Sequence, residues 1–192
     1  MIVKRNISVN VDKCRLGDTI EFTLTDGQKV RATARKKKSN GLLFVMEDCL
    51  RKPYPMFKNI DRAESLSYLN SDLRIYLNTE VLIHLFPEEI KRHMVGMKMA
   101  DGRYDLLRIP TEKEIFGENE YGEEEPEKVK RFMGMEYYKN RIAYRDGEWD
   151  WYWLQNNSKD YAAFFALVAD SGFASNDSAS YSLGVRPVFL LS

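Results

Sequence analysis

The stretch Trp149-Asp150-Trp151-Tyr152-Trp153-Leu154 holds all three tryptophans of this 192-residue chain, and the chain closes on Gly184-Val185-Arg186-Pro187-Val188. Between them lie the apolar run Phe164-Phe165-Ala166-Leu167-Val168 and the turn residues Asp170-Ser171-Gly172. This pattern predicts strands over Trp149 to Leu154, Ala162 to Ala169 and Val185 to Leu191. Polar, turn-rich segments at Asn156-Asn157-Ser158 and Ser171 to Ser182 separate them. Trp151 and Trp153 share a face if the strand is regular, and the tryptophan clustering places the densest core in the later part of the chain.

Working outward, the first fifty residues also read as strands. Ile7, Val9 and Val11 alternate with polar residues, as do Ile20, Phe22 and Leu24. Asp26-Gly27 supplies a hairpin turn, because glycine tolerates the positive φ required there. Val30, Ala32 and Ala34 continue the alternation, and Asn40-Gly41 turns the chain into the apolar run Leu42 to Met46. An antiparallel β meander is expected. From Ser65 the apolar spacing becomes three and four, which predicts an amphipathic helix from Leu69 to Leu85, kinked near Asn78. Pro87-Glu88-Glu89 suits the first turn of a second helix reaching Val95. Leu106 to Pro110 reads as a short strand. Thr111-Glu112-Lys113-Glu114 has capping-box spacing, opening a helix that stops near Gly117. The acidic segment Glu118 to Glu127 reads as a loop leading to a helix over Glu127 to Tyr138. The expected fold class is α+β, in a single domain with a strand-rich part over 1–60, a helical middle over 61–145 and C-terminal strands and loops over 146–192.

Composition excludes several classes. Hydrophobic residues at 44% and charged residues at 30% argue against extended disorder. Twenty-nine basic and 29 acidic residues cancel, so no overall field favours nucleic acid or an anionic membrane. No signal-peptide h-region opens the chain and no apolar run is long enough to span a bilayer. A cytoplasmic location is expected, with non-classical secretion or virion association as alternatives. Cys14 and Cys49 are expected to be reduced and buried.

The C-terminal pattern, Trp151-Tyr152-Trp153-Leu154 followed at the end by Gly184-Val185-Arg186-Pro187-Val188, resembles the closing section of C-type-lectin-like domains. More narrowly it resembles an uncharacterised bacterial and phage family carrying Trp-Trp-Leu-Arg-Ser and ending in Gly-Val-Arg-Pro-Ala. Upstream, Leu16-Gly17-Asp18-Thr19-Ile20, Ser71-Asp72-Leu73-Arg74-Ile75-Tyr76-Leu77-Asn78, Phe86-Pro87-Glu88-Glu89-Ile90 and the element from Leu106 to Glu114 follow the same order. The family's Arg-Ser is Gln155-Asn156 here, so a role carried by that Arg does not transfer. The resemblance implies a C-type-lectin-like fold, a bacterial or phage origin and a ligand face on the C-terminal loops. The candidate ligand-binding residues are Tyr161, Phe173, Ser175, Asn176, Asp177 and Ser178, and Trp151, Trp153, Gly184, Arg186 and Pro187 are the structural signature. The mixture of Asn, Ser, Asp and aromatic residues suits adaptable hydrogen bonding beside rigid contact area.

Arg186, read alone, is a buried structural arginine satisfied by backbone carbonyls or a carboxylate, with ligand contact as the alternative. His84 and His93 lack a recognisable nucleophilic partner, no catalytic residue is assigned, and no metal or cofactor is expected. Formylglycine-generating enzymes resemble this architecture but react through C-terminal cysteines, and none follows Cys49. The calcium-site Glu-Pro-Asn and Trp-Asn-Asp motifs of sugar-binding lectins are absent. Arg35-Lys36-Lys37-Lys38 sits at a hairpin tip and reads as a solvated turn, with phosphate contact as the alternative, and Glu123-Glu124-Glu125 reads as a solvated face. The expected function is non-catalytic recognition of a protein or glycan. The alternatives are a phage- or bacterium-associated assembly protein, or an enzyme using carboxylates such as Glu114, Asp150 and Asp170.

Overall fold

The computed structural model describes residues 11–61 and 65–192. The expected alternation at Ile7 and Val9 lies outside the described residues, and Val11 opens a short 3₁₀ turn, Val11–Lys13. The alternating pattern that follows gives β1 (Thr19–Thr23), burying Ile20 and Phe22, and β2 (Lys29–Lys38). They join through Asp26-Gly27, with Gly27 at φ +86°. The apolar run forms β3 (Gly41–Met46), and β4 (Tyr54–Pro55) follows. Helix α1 (Asp72–Tyr76) continues as a π-helix over Leu77–Leu85, and α2 (Glu88–Lys91) leads to β5 (Met94–Val95). Next come β6 (Met97–Lys98), β7 (Tyr104–Asp105), α3 (Glu112–Phe116) and α4 (Tyr138–Arg141). The C-terminal strands are β8 (Ala143–Arg145), β9 (Glu148–Asp150), β10 (Tyr152–Asn157), β11 (Phe164–Val168), β12 (Ala174–Ser178), β13 (Ser182–Leu183) and β14 (Val188–Leu191).

The fold is α+β. A five-stranded antiparallel sheet has the order β1-β2-β3-β14-β5, so the last strand lies between elements from the first half of the chain. A three-stranded sheet has the order β10-β11-β12. Side-chain alternation along the central strands feeds two apolar cores rather than one. Phe44 and Met46 of β3, Trp153 of β10, Phe165 and Leu167 of β11, and Phe189 and Leu191 of β14 enter the larger core. Their chain neighbours Leu43, Val45, Tyr152, Leu154, Ala166, Val168, Val188 and Leu190 enter the second. A strand buried on both faces reads as a continuous apolar run, which is what β3, β11 and β14 show. Each fully buried large side chain contributes about 1.5–3 kcal/mol of transfer free energy, so these strands hold the sheets in place.

The segment Ser71 to Asn78 fixes the helical middle. Ser71 caps α1 by accepting from the Arg74 amide at 3.1 Å. The Arg74 guanidinium donates to both oxygens of Asp105, at 2.7 and 2.9 Å, and to Asp101 at 2.6 Å. Asn78 accepts from the amides of Leu106 and Leu107, at 3.0 and 3.1 Å, and donates to the Leu107 carbonyl at 2.8 Å. The helix is therefore tied to β7 and the segment after it by polar clamps.

Several elements differ from the sequence-based expectation. The helix expected over Leu69 to Leu85 is divided into a 3₁₀ turn at Tyr68–Asn70, α1 and the π-helical turn, because the Ser71 cap starts a new helix inside the apolar pattern. Pro87 is the N-cap of α2 in extended backbone, and the helix ends at Lys91, before β5. The helix expected over Glu127 to Tyr138 is absent; Gly134 sits there at φ +82°, a conformation no helix interior accepts. Leu106 to Pro110 makes only an isolated bridge, Arg108 to Val188. The capping box at Thr111 and Glu114 forms, and Gly117 ends α3 in the left-handed conformation.

Candidate functional site

Three strictly buried features position the C-terminal strands. The Trp153 indole donates to the Tyr54 carbonyl at 3.0 Å, joining β10 to β4. Gly184 sits where a Cβ would lie 2.5 Å from the Asp150 carboxylate, 2.6 Å from the Trp151 carbonyl and 2.8 Å from the Cys49 sulfur, so only glycine allows the crossing. Arg186 is fully buried and donates to the Met46 carbonyl at 2.7 Å, to the carbonyls of Asn140 and Arg141, and to the Tyr152 hydroxyl at 2.9 Å. Burial works against its charge, but Tyr152 and Glu47 outweigh it and the pKa is raised. Pro187 accepts the Met46 amide at 3.0 Å. Desolvation pushes the buried Cys49 thiol far up, which keeps it protonated and unreactive.

Trp151 corrects one expectation. It precedes β10, is exposed, and does not join Trp153 in the core; Trp149, on β9 opposite Tyr144, is 65% exposed. Only one of the three clustered tryptophans is core.

Four of the six candidate binding residues lie on β12, and the other two stand near its opposite ends. β12 is the terminal strand of its sheet, with β11 its only strand neighbour among the described residues. Ser175, Asn176, Asp177 and Ser178 belong to it, all half-buried. Phe173, 64% exposed, stands at the hairpin turn before its first residue. Tyr161, 58% exposed, precedes β11 and packs on Phe164 at 5.0 Å between ring centres. Phe164 pairs with Ser178, so Tyr161 lies at the far end of β12, about 17 Å away along a five-residue strand.

The pleat divides the polar four. Residues paired directly across a ladder share a face. Ser175 and Asp177 therefore share a face with Leu167 and Phe165, while Asn176 and Ser178 share the other with Ala166 and Phe164. Asn176 is committed to the Ser158 hydroxyl at 3.0 Å, and Asp177 accepts the Ser178 amide at 2.7 Å. Two aromatic residues that sequence reasoning did not select lie nearby: Tyr181, exposed just beyond β12, and Tyr138, whose carbonyl abuts Gly172 in the Phe173 hairpin. No sequence signal marks Tyr138, because only the tertiary fold brings it there.

The other charged groups are dispersed. Glu114 is buried in a bidentate pair with Arg108, at 2.7 Å to each oxygen. Asp150 pairs with Arg145 at 2.7 Å beside Gly184, and Asp170 is half-buried at the β11–β12 turn. The three carboxylates do not form one group. Arg35 is buried at a bulge in β2 and binds the Met133 carbonyl and Glu47, so the basic run is not wholly solvated. Glu125 likewise departs from a plain solvated run, accepting from Asn119, Asn156 and the Lys113 amide. His84 is exposed and lies 3.9 Å from Glu80. Among the described residues, no group of three or more His, Cys, Asp or Glu is placed to hold a metal, and no helix is long and apolar enough to cross a membrane.

A family model, described as a domain of unknown function (DUF6273), matches residues 40–192. The chain belongs to the DUF6273 family. No curated protein and no solved structure matches it. The DUF6273 match opens at the β2–β3 turn, so it includes β3, β14 and the whole β10-β11-β12 sheet, while β1 and β2 precede it.

Proposed function

We propose that this chain is a non-catalytic recognition domain of C-type-lectin-like architecture, acting as one unit, which holds a protein or glycan ligand against β12 and its flanking aromatic residues. The observation that carries this reading is a terminal strand with half-accessible polar side chains and an exposed aromatic residue at each end, Phe173 and Tyr161. An edge strand leaves alternate backbone donors and acceptors open to a partner. Exposed aromatic rings add rigid, amphipathic contact area at little entropic cost.

Support also comes from what surrounds the strand. Both faces of β11 are buried, so β12 is braced by a rigid neighbour rather than by a mobile loop. Rigid scaffolds presenting adaptable surface residues are where recognition usually lives. Return of β14, the last strand, to pair with β3 from the first quarter of the chain fits a C-type-lectin-like arrangement. The test is a glycan and peptide array probed with purified protein, with and without calcium. Selective binding supports the reading. A blank array in both conditions, at a protein concentration of about 100 µM, contradicts it.

A further inference from the structure

A second feature lies away from β12. A cavity of 580 Å³ opens between the β2–β3 turn, the β5–β6 segment and the loop after α3. This is the size of a small-molecule site. Its lining includes Lys38, Lys98, Lys128, Arg108, Glu114 and Glu125. Arg108 and Glu114 neutralise each other in their buried bidentate pair. Among the described residues, none of the three lysines forms an ion pair or a side-chain hydrogen bond.

Four cationic side chains against two carboxylates leave the cavity with a charge of +2. A dianion matches that charge, and a phosphate monoester is the common dianion near neutral pH, its second pKa lying at about 6. Lysine ammonium groups serve phosphate as point charges. Beside the polar Asn40, Thr111 and Gln155, part of the wall is apolar, including Met97, Met99, Leu190 and Tyr104, so the site also accepts a hydrocarbon or aryl body. We propose that this cavity binds a phosphate monoester with an apolar body, its dianionic head held by Lys38, Lys98 and Lys128. The Lys38 ammonium supports the assignment. Although its side chain reaches solvent, partial desolvation, then Lys36 and Arg108, hold its pKa below the ordinary lysine value, against the opposing pull of Glu114. It thus sits in positive potential that an incoming anion would relieve.

The experiment is calorimetric titration of the full chain with phenyl phosphate, inorganic phosphate and phenol. Phenyl phosphate is expected to bind saturably at one site, inorganic phosphate more weakly, and phenol not measurably at the same concentrations. Lys38→Gln and Lys128→Gln, both at exposed positions, are each expected to weaken phenyl phosphate by about tenfold with an unchanged melting temperature. Phenol binding as well as phenyl phosphate, or inorganic phosphate binding equally well, would overturn the ligand class. No saturable phenyl phosphate binding up to about 10 mM, or binding untouched by both substitutions, would overturn the site. None of these lysines lies on β12, so this result and the array result fail independently.

Discussion

The Arg186 guanidinium donates to the Tyr152 hydroxyl at 2.9 Å, and that hydroxyl in turn donates to the Arg141 carbonyl at 2.7 Å. The pair links the last segment of the chain to β10 and to the end of α4, with the Met46 carbonyl as a further acceptor. A guanidinium is the one side chain with enough fixed donors to serve these acceptors at once.

Arg186→Ala strands several buried acceptors, so it is expected to cost at least about 3 kcal/mol in chemical denaturation. Arg186→Lys is expected to recover little, because an ammonium cannot span the same acceptors. Recovery of near wild-type stability by lysine would show that charge alone matters at this position.

Gly184→Ala is expected to destabilise much more than Gly27→Ala. At Gly184 the new methyl meets the Asp150 carboxylate at 2.5 Å and the Trp151 carbonyl at 2.6 Å, and the carbonyl cannot swing aside. At Gly27 nothing lies within 4 Å, and only the positive φ opposes the substitution, at about 1–2 kcal/mol. Melting temperatures of the two variants, compared with wild type, check the order.

Asp101 gives stability an acid limb. Its hydrogen bond from Arg74, aided by Arg103, holds the carboxyl well below the ordinary aspartate value of 3.8. A depressed folded-state pKa contributes stability that is present above the unfolded value and lost as pH falls through the folded one. Wild type is therefore expected to exceed Asp101→Asn in urea midpoint at neutral pH, with the gap closing below about pH 4. A gap constant across that range would remove the ionic contribution.

The fold was legible where one physical signal decided the structure. Asp26-Gly27 gave the β1–β2 turn, Thr111 and Glu114 gave the cap of α3, and Leu42 to Met46 gave β3. It was illegible where tertiary contacts decided. Leu69 to Leu85 kept helical spacing throughout, yet the Ser71 cap divided it and the Asn78 clamp tied it to the Leu106–Leu107 backbone. Ala174 to Ser178 carries no apolar alternation and so reads as turn-rich; its pairing with the apolar β11 makes it the strand β12. Composition marks the six candidate residues one by one, but the placing of four of them on β12, and their division between its faces, follows only from the register.

Phe173→Ala and Tyr161→Ala are expected to change stability by no more than about 0.5 kcal/mol, since both rings are largely exposed. Denaturant midpoints check this. A larger loss would place the rings in the packing of the β11–β12 hairpin.

The most direct test of the recognition surface compares ligand binding by wild type, the Phe173→Ala/Asp177→Ala double variant and Trp149→Ala on one array. Trp149 is as exposed as Phe173 but lies on β9, outside the three-stranded sheet. The account predicts that wild type and Trp149→Ala share their bound ligands while the double variant loses them. Retention of those ligands by the double variant, or their loss only in Trp149→Ala, would contradict it.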